Sequence, residues 1–533
     1  MRRFALVTLA AAALTAAPAR AQHEHHAADT LGSVTFPTSC APAVQPAFER
    51  AAAMLHSFWF EQAHRAFDRV AAADTSCAMA HWGVAMTLWG NPFVRQPIPP
   101  ERQSAGLAAA ERAAALADGA THRERMYVDA ALALWRGAAE RDHLAGLARH
   151  EAAMKALHDA HPEDPEAVLF YARAVIANAP PTDLEFRRQL YAGSLLEPLF
   201  ARYPEHPGLA HYIIHTFDSP KLARQGLTAA KRYAAIAPAA PHALHMPSHI
   251  FTRLGLWDES IETNRRSAAA EPDSNAAVHP NDYMVYAYLQ QGRDAEARAV
   301  VARANETANR YYGAILGYNA IAMQARYALE RGDWAAAAAL PVPAKSAPFV
   351  EAVARFARAV GAARAGRPSQ AREEEQALAV LHDTLAAHGD TYWATIVEAQ
   401  RLAGGAWIAR GEGRIDEAVR RAKAGAELEE TVEKHPVTPG PLLPARELEG
   451  DLLLELGRPA AALRSYELTL AREPRRARAL YGAARAAERA GQRQVARTRY
   501  RELLALMEHA DTARPEPRAA RAFLARGQGR GGA

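Results

Sequence analysis

The sequence predicts an all-α fold, a solenoid of antiparallel helix pairs, and three observations predict it. Features recur every 34 residues: Gly457 and Gly491, Ala462 and Ala496, and Tyr466 and Tyr500 near the C-terminus, and Pro204, Pro238 and Pro272 in the middle. That period is the length of a helix–turn–helix repeat. Alanine runs with interspersed Arg and Glu favour helix. No segment alternates β-branched and polar residues convincingly, so strands should be few. At 533 residues, 50% hydrophobic and 23% charged, the chain can form one long array or several domains.

Taken in order, residues 1–21 read as a secretory signal. Arg2 and Arg3 start it, Phe4 to Ala17 are apolar, and Ala19-Arg20-Ala21 is an A-x-A cleavage site, with the cut after Ala21. The alternative, a membrane anchor, needs a longer apolar stretch. The expected location is periplasmic or secreted. The absence of a cysteine at the cut argues against a lipoprotein, and no later segment reads as a transmembrane span. Residues 22–43 form a flexible segment with His23, His25 and His26, read as a solvated tail. Helix-pair repeats fill 44–91, irregular helical hairpins 92–180, central repeats 181–310, further helical repeats 311–433 and C-terminal repeats 434–510. A terminal helix and Gly/Arg tail end the chain at 511–533. Lys434 to Pro444, rich in proline, reads as a joint.

The formal charge of +4 comes largely from the leader. Without Arg2, Arg3 and Arg20, 60 basic residues face 59 acidic ones, so a pI near 9.0 is no argument for nucleic acid. Export makes a disulfide between the only two cysteines, Cys40 and Cys77, an expectation; two buried free thiols are the alternative.

The repeat chemistry is steric. In LGRPAAALRSYELTLAREP and AGQRQVARTRYRELL, Gly457 and Gly491 close a helix in a left-handed turn. Ala462 and Ala496 let helices approach, an aromatic follows four residues later, and Pro474 stops the second helix. In these features the chain resembles the tetratricopeptide repeat superfamily. It is also similar to exported bacterial repeat proteins carrying segments such as LHSFWFEQAHRAF, CAMAHWGVAM, HPGLAHYIIHTFD, HALHMPSHIFTRLGLWDESIETN and PARELEGDLLLELGRPAAAL. The narrower likeness implies no particular chemistry. The superfamily resemblance implies a right-handed superhelix whose concave groove, lined by first helices, binds a protein or peptide.

The histidines are the main functional signal. His211 and His215 stand in HPGLAHYIIHTFDSP, and His245 and His249 in APHALHMPSHIFTRLGLWDES; each pair is spaced i, i+4 and the pairs are 34 residues apart. Counting each repeat so that its closing proline is position 32, His211 and His215 fall at positions 5 and 9. His242, His245 and His249 fall at 2, 5 and 9 of the next repeat, and His279 and Asp282 at 2 and 5 of the one after. The resemblance implies that these positions face the groove. Clustered neutral imidazoles with a carboxylate suit zinc or copper, and nickel or iron less well. Asp218 and Asp258 are candidates to orient the rings. A polar cluster for a peptide or small molecule, and simple packing, stay open as alternatives.

Other signals are weaker. His56 and His81, beside Phe58, Trp59 and Trp82, read as hydrogen-bonding groups between repeats, with a second ligand site as the alternative. Trp82, Met86 and Trp89 form a helical stripe that reads as core. In the last repeats Glu447 and Asp451 take positions 5 and 9, and Arg478, Tyr481 and Arg485 positions 2, 5 and 9. This charged groove suits a peptide terminus or acidic side chain; a solvated face with internal ion pairs is the alternative. No HExxH, phosphate-loop or GxSxG motif occurs, and no dinucleotide fingerprint stands between a predicted strand and a helix. The expected role is therefore a binding scaffold for a peptide or protein, with a histidine-lined groove that takes a metal. A metal-dependent enzyme using the same histidines is the alternative.

Overall fold

Helices, most of them joined by short turns, make up most of the described residues, and no strand occurs among these. The computed structural model describes residues 30–94, 98–139, 142–271, 277–308, 314–511 and 514–528. The leader, the His23 to His26 tract and the last five residues lie outside them. Each helix packs chiefly on its neighbour in sequence: Ala445–Glu455 on Pro459–Arg472, that helix on Ala477–Arg489, and that one on Arg493–Leu506. Gly457 and Gly491 occupy the left-handed region, at φ 71° and 72°, and end their helices. Among the described residues of 92–180 are four α-helices, Pro100–Ala115, His122–Ala139, His143–Ala160 and Pro165–Ala177, with short 3-10 turns at Pro92–Val94 and Ala117–Gly119. No described helix is long and apolar enough to cross a membrane.

Packing within the repeats is tight enough to make a test. The Tyr466 ring lies between Gly450 and Gly482, and a Cβ on Gly482 would sit 2.3 Å from it. The hydroxyl of Tyr466 donates to Asp451 at 2.6 Å, so the ring is pinned. Gly482→Ala gains up to about 1 kcal/mol of helix propensity, while overpacking costs about 1–3 kcal/mol. The thermal midpoint is therefore expected to fall; a rise in a calorimetric scan would show that the ring gives way.

In an open array each repeat touches only its neighbours. Here the array closes. One apolar core unites the helices between Trp257 and Met323 with those between Leu453 and Ala520. Trp257 Nε1 donates to Arg475 O at 3.2 Å, Ala477 N to Gln290 Oε1 at 3.0 Å, and Asp511 N to Gly292 O at 3.0 Å. At the other end, extended residues after Thr30 lie across the central repeats, with Ser33 N bonded to Glu205 O at 2.9 Å. Cys40 and Cys77 are joined by a disulfide, so no thiolate is left for a metal. The proline-rich stretch read as a joint is instead a buried loop, with Val437, Thr438, Leu442 and Leu443 all inside. It runs into the concavity that an open superhelix would leave empty.

Candidate metal centre

Four helices carry the central histidines: Pro207–Thr216, Pro241–His245, Pro247–Arg253 and Val278–Gln290. Each of the first three starts on proline, whose missing N–H is no loss in a first turn. Pro247 also separates His245 from His249, so that pair is not on one unbroken helix. The path stays helical because Met246 keeps right-handed angles and His249 N bonds Met246 O at 3.1 Å. The i, i+4 geometry therefore survives.

The six imidazoles assemble as two adjoining triads. His211, His215 and His242 each offer a nitrogen within 4.8 Å of the others, and so do His245, His249 and His279. Across the seam, ring centroids are 5.7 Å apart for His215 and His249 and 5.8 Å for His242 and His245. Within the triads the closest approaches are between Nε2 atoms, 3.1 Å for His211 and His215 and 3.0 Å for His245 and His249.

Hydrogen bonds on the far side of the rings fix the tautomers. His211 Nδ1 donates to the backbone carbonyl of His56 at 2.6 Å. His245 Nδ1 meets Asn264 Oδ1 at 2.6 Å. Asn264 Nδ2 donates to Ser260 O at 2.7 Å, which settles the amide orientation and leaves Oδ1 only as an acceptor. His249 Nδ1 lies 2.8 Å from Asp218. Burial alone would raise the Asp218 carboxyl, but Lys434, His249 and Arg253 hold it well below the usual carboxylate range. It is an anion and accepts the proton. In both His245 and His249 the single proton of a neutral ring is thus committed to Nδ1. Their Nε2 lone pairs face each other at 3.0 Å, an arrangement that repels unless a cation lies against both. A proton is a poor candidate. Burial pushes every one of the six rings down, to about 3 for His211 and His279. Two ring nitrogens, His242 Nε2 and His279 Nδ1, are buried with no hydrogen-bond partner.

The groove-facing expectation is corrected in one respect: this surface is largely covered. His211, His245 and His249 are at most 1% exposed, while His215, His242 and His279 are half-buried. Phe58 covers the first triad, its ring centroid 4.3 Å from that of His211 and stacked on His242 at 5.5 Å. Its backbone is left-handed at φ 53°, a strained conformation for a bulky residue that packing must hold. Phe93 lies 4.3 Å from His215. Tyr283 covers the second triad and donates to Thr438 O of the buried loop at 3.2 Å.

The carboxylates divide. Asp218 meets His249. Asp258 does not reach the site; it accepts from Gln291 at 2.7 Å. Asp282 is buried and committed elsewhere, accepting from Arg326 and Asn319, both at 3.1 Å. Both its oxygens are occupied, so it does not join the histidine set. His56 belongs to a second cluster. Its Nε2 and His206 Nε2 each lie 2.9 Å from Glu166, His56 Nδ1 lies 3.2 Å from the Tyr212 hydroxyl, and His206 Nδ1 accepts from Leu209 N. Every ring nitrogen there has a hydrogen-bond partner, so this trio is a closed network whose carbonyl end steers His211. His81 is half-buried apart from both clusters, and Trp82, Met86 and Trp89 are core.

The C-terminal charges face one another. Arg478 bonds Glu447 at 2.9 Å and Asp451 at 2.6 Å, and Glu447 also pairs with Arg476 at 2.7 Å and is fully buried. No carboxylate of Glu447 is left for a peptide. Tyr481 and Arg485 stay half-buried, with the guanidinium 5.4 Å from the ring centre.

Residues that sequence reasoning missed are Asn264, Lys434, Phe93 and Tyr283. Asn264 stands 19 residues from His245, close to the spacing of facing helices in one repeat pair, a signal that could have found it. Lys434, 216 residues from Asp218, had none.

No protein-family model and no curated protein matches the chain. Among solved structures, the human IFIT1 dimer with PPP-AAAA and the same dimer with m7Gppp-AAAA align with it at 13% identity and a TM-score of 0.36. They cover 86% of this chain and 89% and 88% of theirs. A TM-score of 0.36 carries none of the ligands named there over to this chain.

Proposed function

We propose that this protein is an exported metal-binding protein, its helical array holding a transition metal, zinc or copper, on the central histidines. The observation that carries the reading is the pair of facing Nε2 lone pairs on His245 and His249, with both Nδ1 protons donated outward to Asn264 and Asp218. Metal-bound imidazoles use this arrangement, in which an outer acceptor sets the tautomer and raises ligand basicity. Export rests on the leader and fits the disulfide. A peptide or protein partner is a separate reading, favoured by the partly open Tyr481 and Arg485, and such binding would survive chelation.

The test is elemental analysis of untagged protein purified without chelator, beside His245→Ala/His249→Ala. Near-stoichiometric zinc or copper is expected in the parent and at least a tenfold smaller content in the variant, with the helical circular dichroism unchanged. Metal absent from the parent even after reconstitution would overturn the reading.

A further inference from the structure

The ligand pattern repeats as the helices do. The first triad combines positions 5 and 9 of one repeat, His211 and His215, with position 2 of the next, His242. The second combines positions 5 and 9 of that next repeat, His245 and His249, with position 2 of the one after, His279. The step of the array therefore builds the same three-imidazole set twice. Each set has one close Nε2 pair and one ring with a buried, partnerless nitrogen, His242 in the first and His279 in the second. The series stops there, because positions 5 and 9 of the following repeat are Asp282 and Tyr286, whose polar atoms face Arg326 and Arg476.

We propose that the two triads hold two ions as one dinuclear centre, and that the ion is copper(I). The proposal rests on the metal-binding reading above. A metal bound at about 2.0–2.1 Å keeps its nitrogen donors within about 4.2 Å of one another. Each triad, with donors inside 4.8 Å, meets that limit with a small ring movement. Six rings do not all fit one ion: ring centroids lie as far apart inside a triad, 6.5 Å for His215 and His242, as across it, and the ligand nitrogens gather into two sets of three.

The charge chooses the ion. All six ligands are neutral, and the nearest anion, Asp218, is already shared by Lys434 at 2.7 Å and Arg253 at 3.3 Å. Desolvation cost grows as the square of the ionic charge, and repulsion between two ions as the product of their charges. Two monovalent ions therefore bear about a quarter of the penalty of two divalent ones by either measure. Among the first-row metals that imidazole suits, copper offers the monovalent state.

The experiment is an anaerobic titration of the untagged full-length protein with copper(I) supplied as its acetonitrile complex, followed by desalting and copper analysis. Two coppers per chain are expected in the parent. One is expected in His215→Ala/His242→Ala, and one in His249→Ala/His279→Ala. A single copper in the parent would overturn the dinuclear centre and leave the metal-binding reading standing; no copper and no zinc would overturn both. Loss of both ions from either double variant, with native circular dichroism, would also overturn two separate triads. A measurement on the parent alone makes the result independent of variant folding. Ferricyanide takes one electron from each copper(I), giving ferrocyanide and copper(II). Adjacent copper(II) ions couple, so the electron paramagnetic resonance spin count should fall well short of the copper present. Full, uncoupled spin intensity would show that the ions are not neighbours.

Discussion

Replacing Arg476 with Met is expected to lower the unfolding free energy by about 3–5 kcal/mol. The guanidinium is fully buried and joins four parts of the chain. It pairs with Glu447 through Nε at 2.7 Å and Nη2 at 3.1 Å, with Glu330 at 2.7 Å, and with the Tyr286 hydroxyl at 3.1 Å. Burial opposes its charge, but Glu330 and Glu447 hold it firmly protonated. Methionine fills the space and leaves Glu330 inside without this partner. Breaking a buried pair from one side costs more than the pair itself contributes, since the remaining charge is stranded. Urea unfolding of the parent, Arg476→Met, Glu447→Gln and the double variant measures this. The double variant should lose less than the sum of the singles. A loss under about 1 kcal/mol in Arg476→Met would contradict the burial. The same residue closes the array, since Glu330 and Tyr286 belong to the middle helices and Glu447 to the last repeats.

Asp218→Asn is expected to weaken metal binding about 10–100-fold and to destabilise the protein by about 3 kcal/mol. Asp218 performs two tasks. It accepts the His249 Nδ1 proton, and it is the counterion of Lys434, whose side chain is 5% exposed. Burial pushes that lysine down, and Asp218 opposes the shift. The amide has no charge to offer Lys434 and can turn its NH2 toward His249, which would favour the wrong tautomer. The two tasks separate in the double variant Asp218→Asn/Lys434→Met, which removes the stranded ammonium. Stability should recover while metal affinity stays low. Recovery of both would mean that Asp218 serves only the loop and does not orient His249. Metal competition against a chromophoric chelator and thermal melting supply the two readouts.

Much of the histidine cluster was legible in the sequence. The 34-residue offset between the histidine pairs placed His211, His215, His242, His245, His249 and His279 on one surface, and the structure brings all six together. For the two i, i+4 pairs that inference used the helical repeat of 3.6 residues and the regular step of stacked pairs; for His242 and His279 it used what the superfamily resemblance implies about position 2. It failed at Asp282, where position in the repeat was right and partner choice was not. Arg326, 44 residues away and fully buried, takes the carboxylate. At Glu447 two readings stood open, a charge available to a peptide and internal ion pairs, and the carboxylate is in fact paired with Arg476 and Arg478, buried and not solvated. A repeat register states which way a side chain points and not what stands opposite.

The sequence by itself determined the helical class, the repeat length, the glycine turns and the two equivalent histidine pairs, because each depends on contacts within one or two repeats. Only the tertiary structure decided that the array closes, that the loop from Lys434 to Pro444 enters its concavity, and that His211, His245 and His249 are buried with chosen tautomers. Those outcomes rest on contacts such as Arg253 with Glu473, 220 residues apart. They follow from the summed curvature of many helix pairs. No local pattern carries that sum, whereas a buried ion pair in the folded chain depends on it entirely.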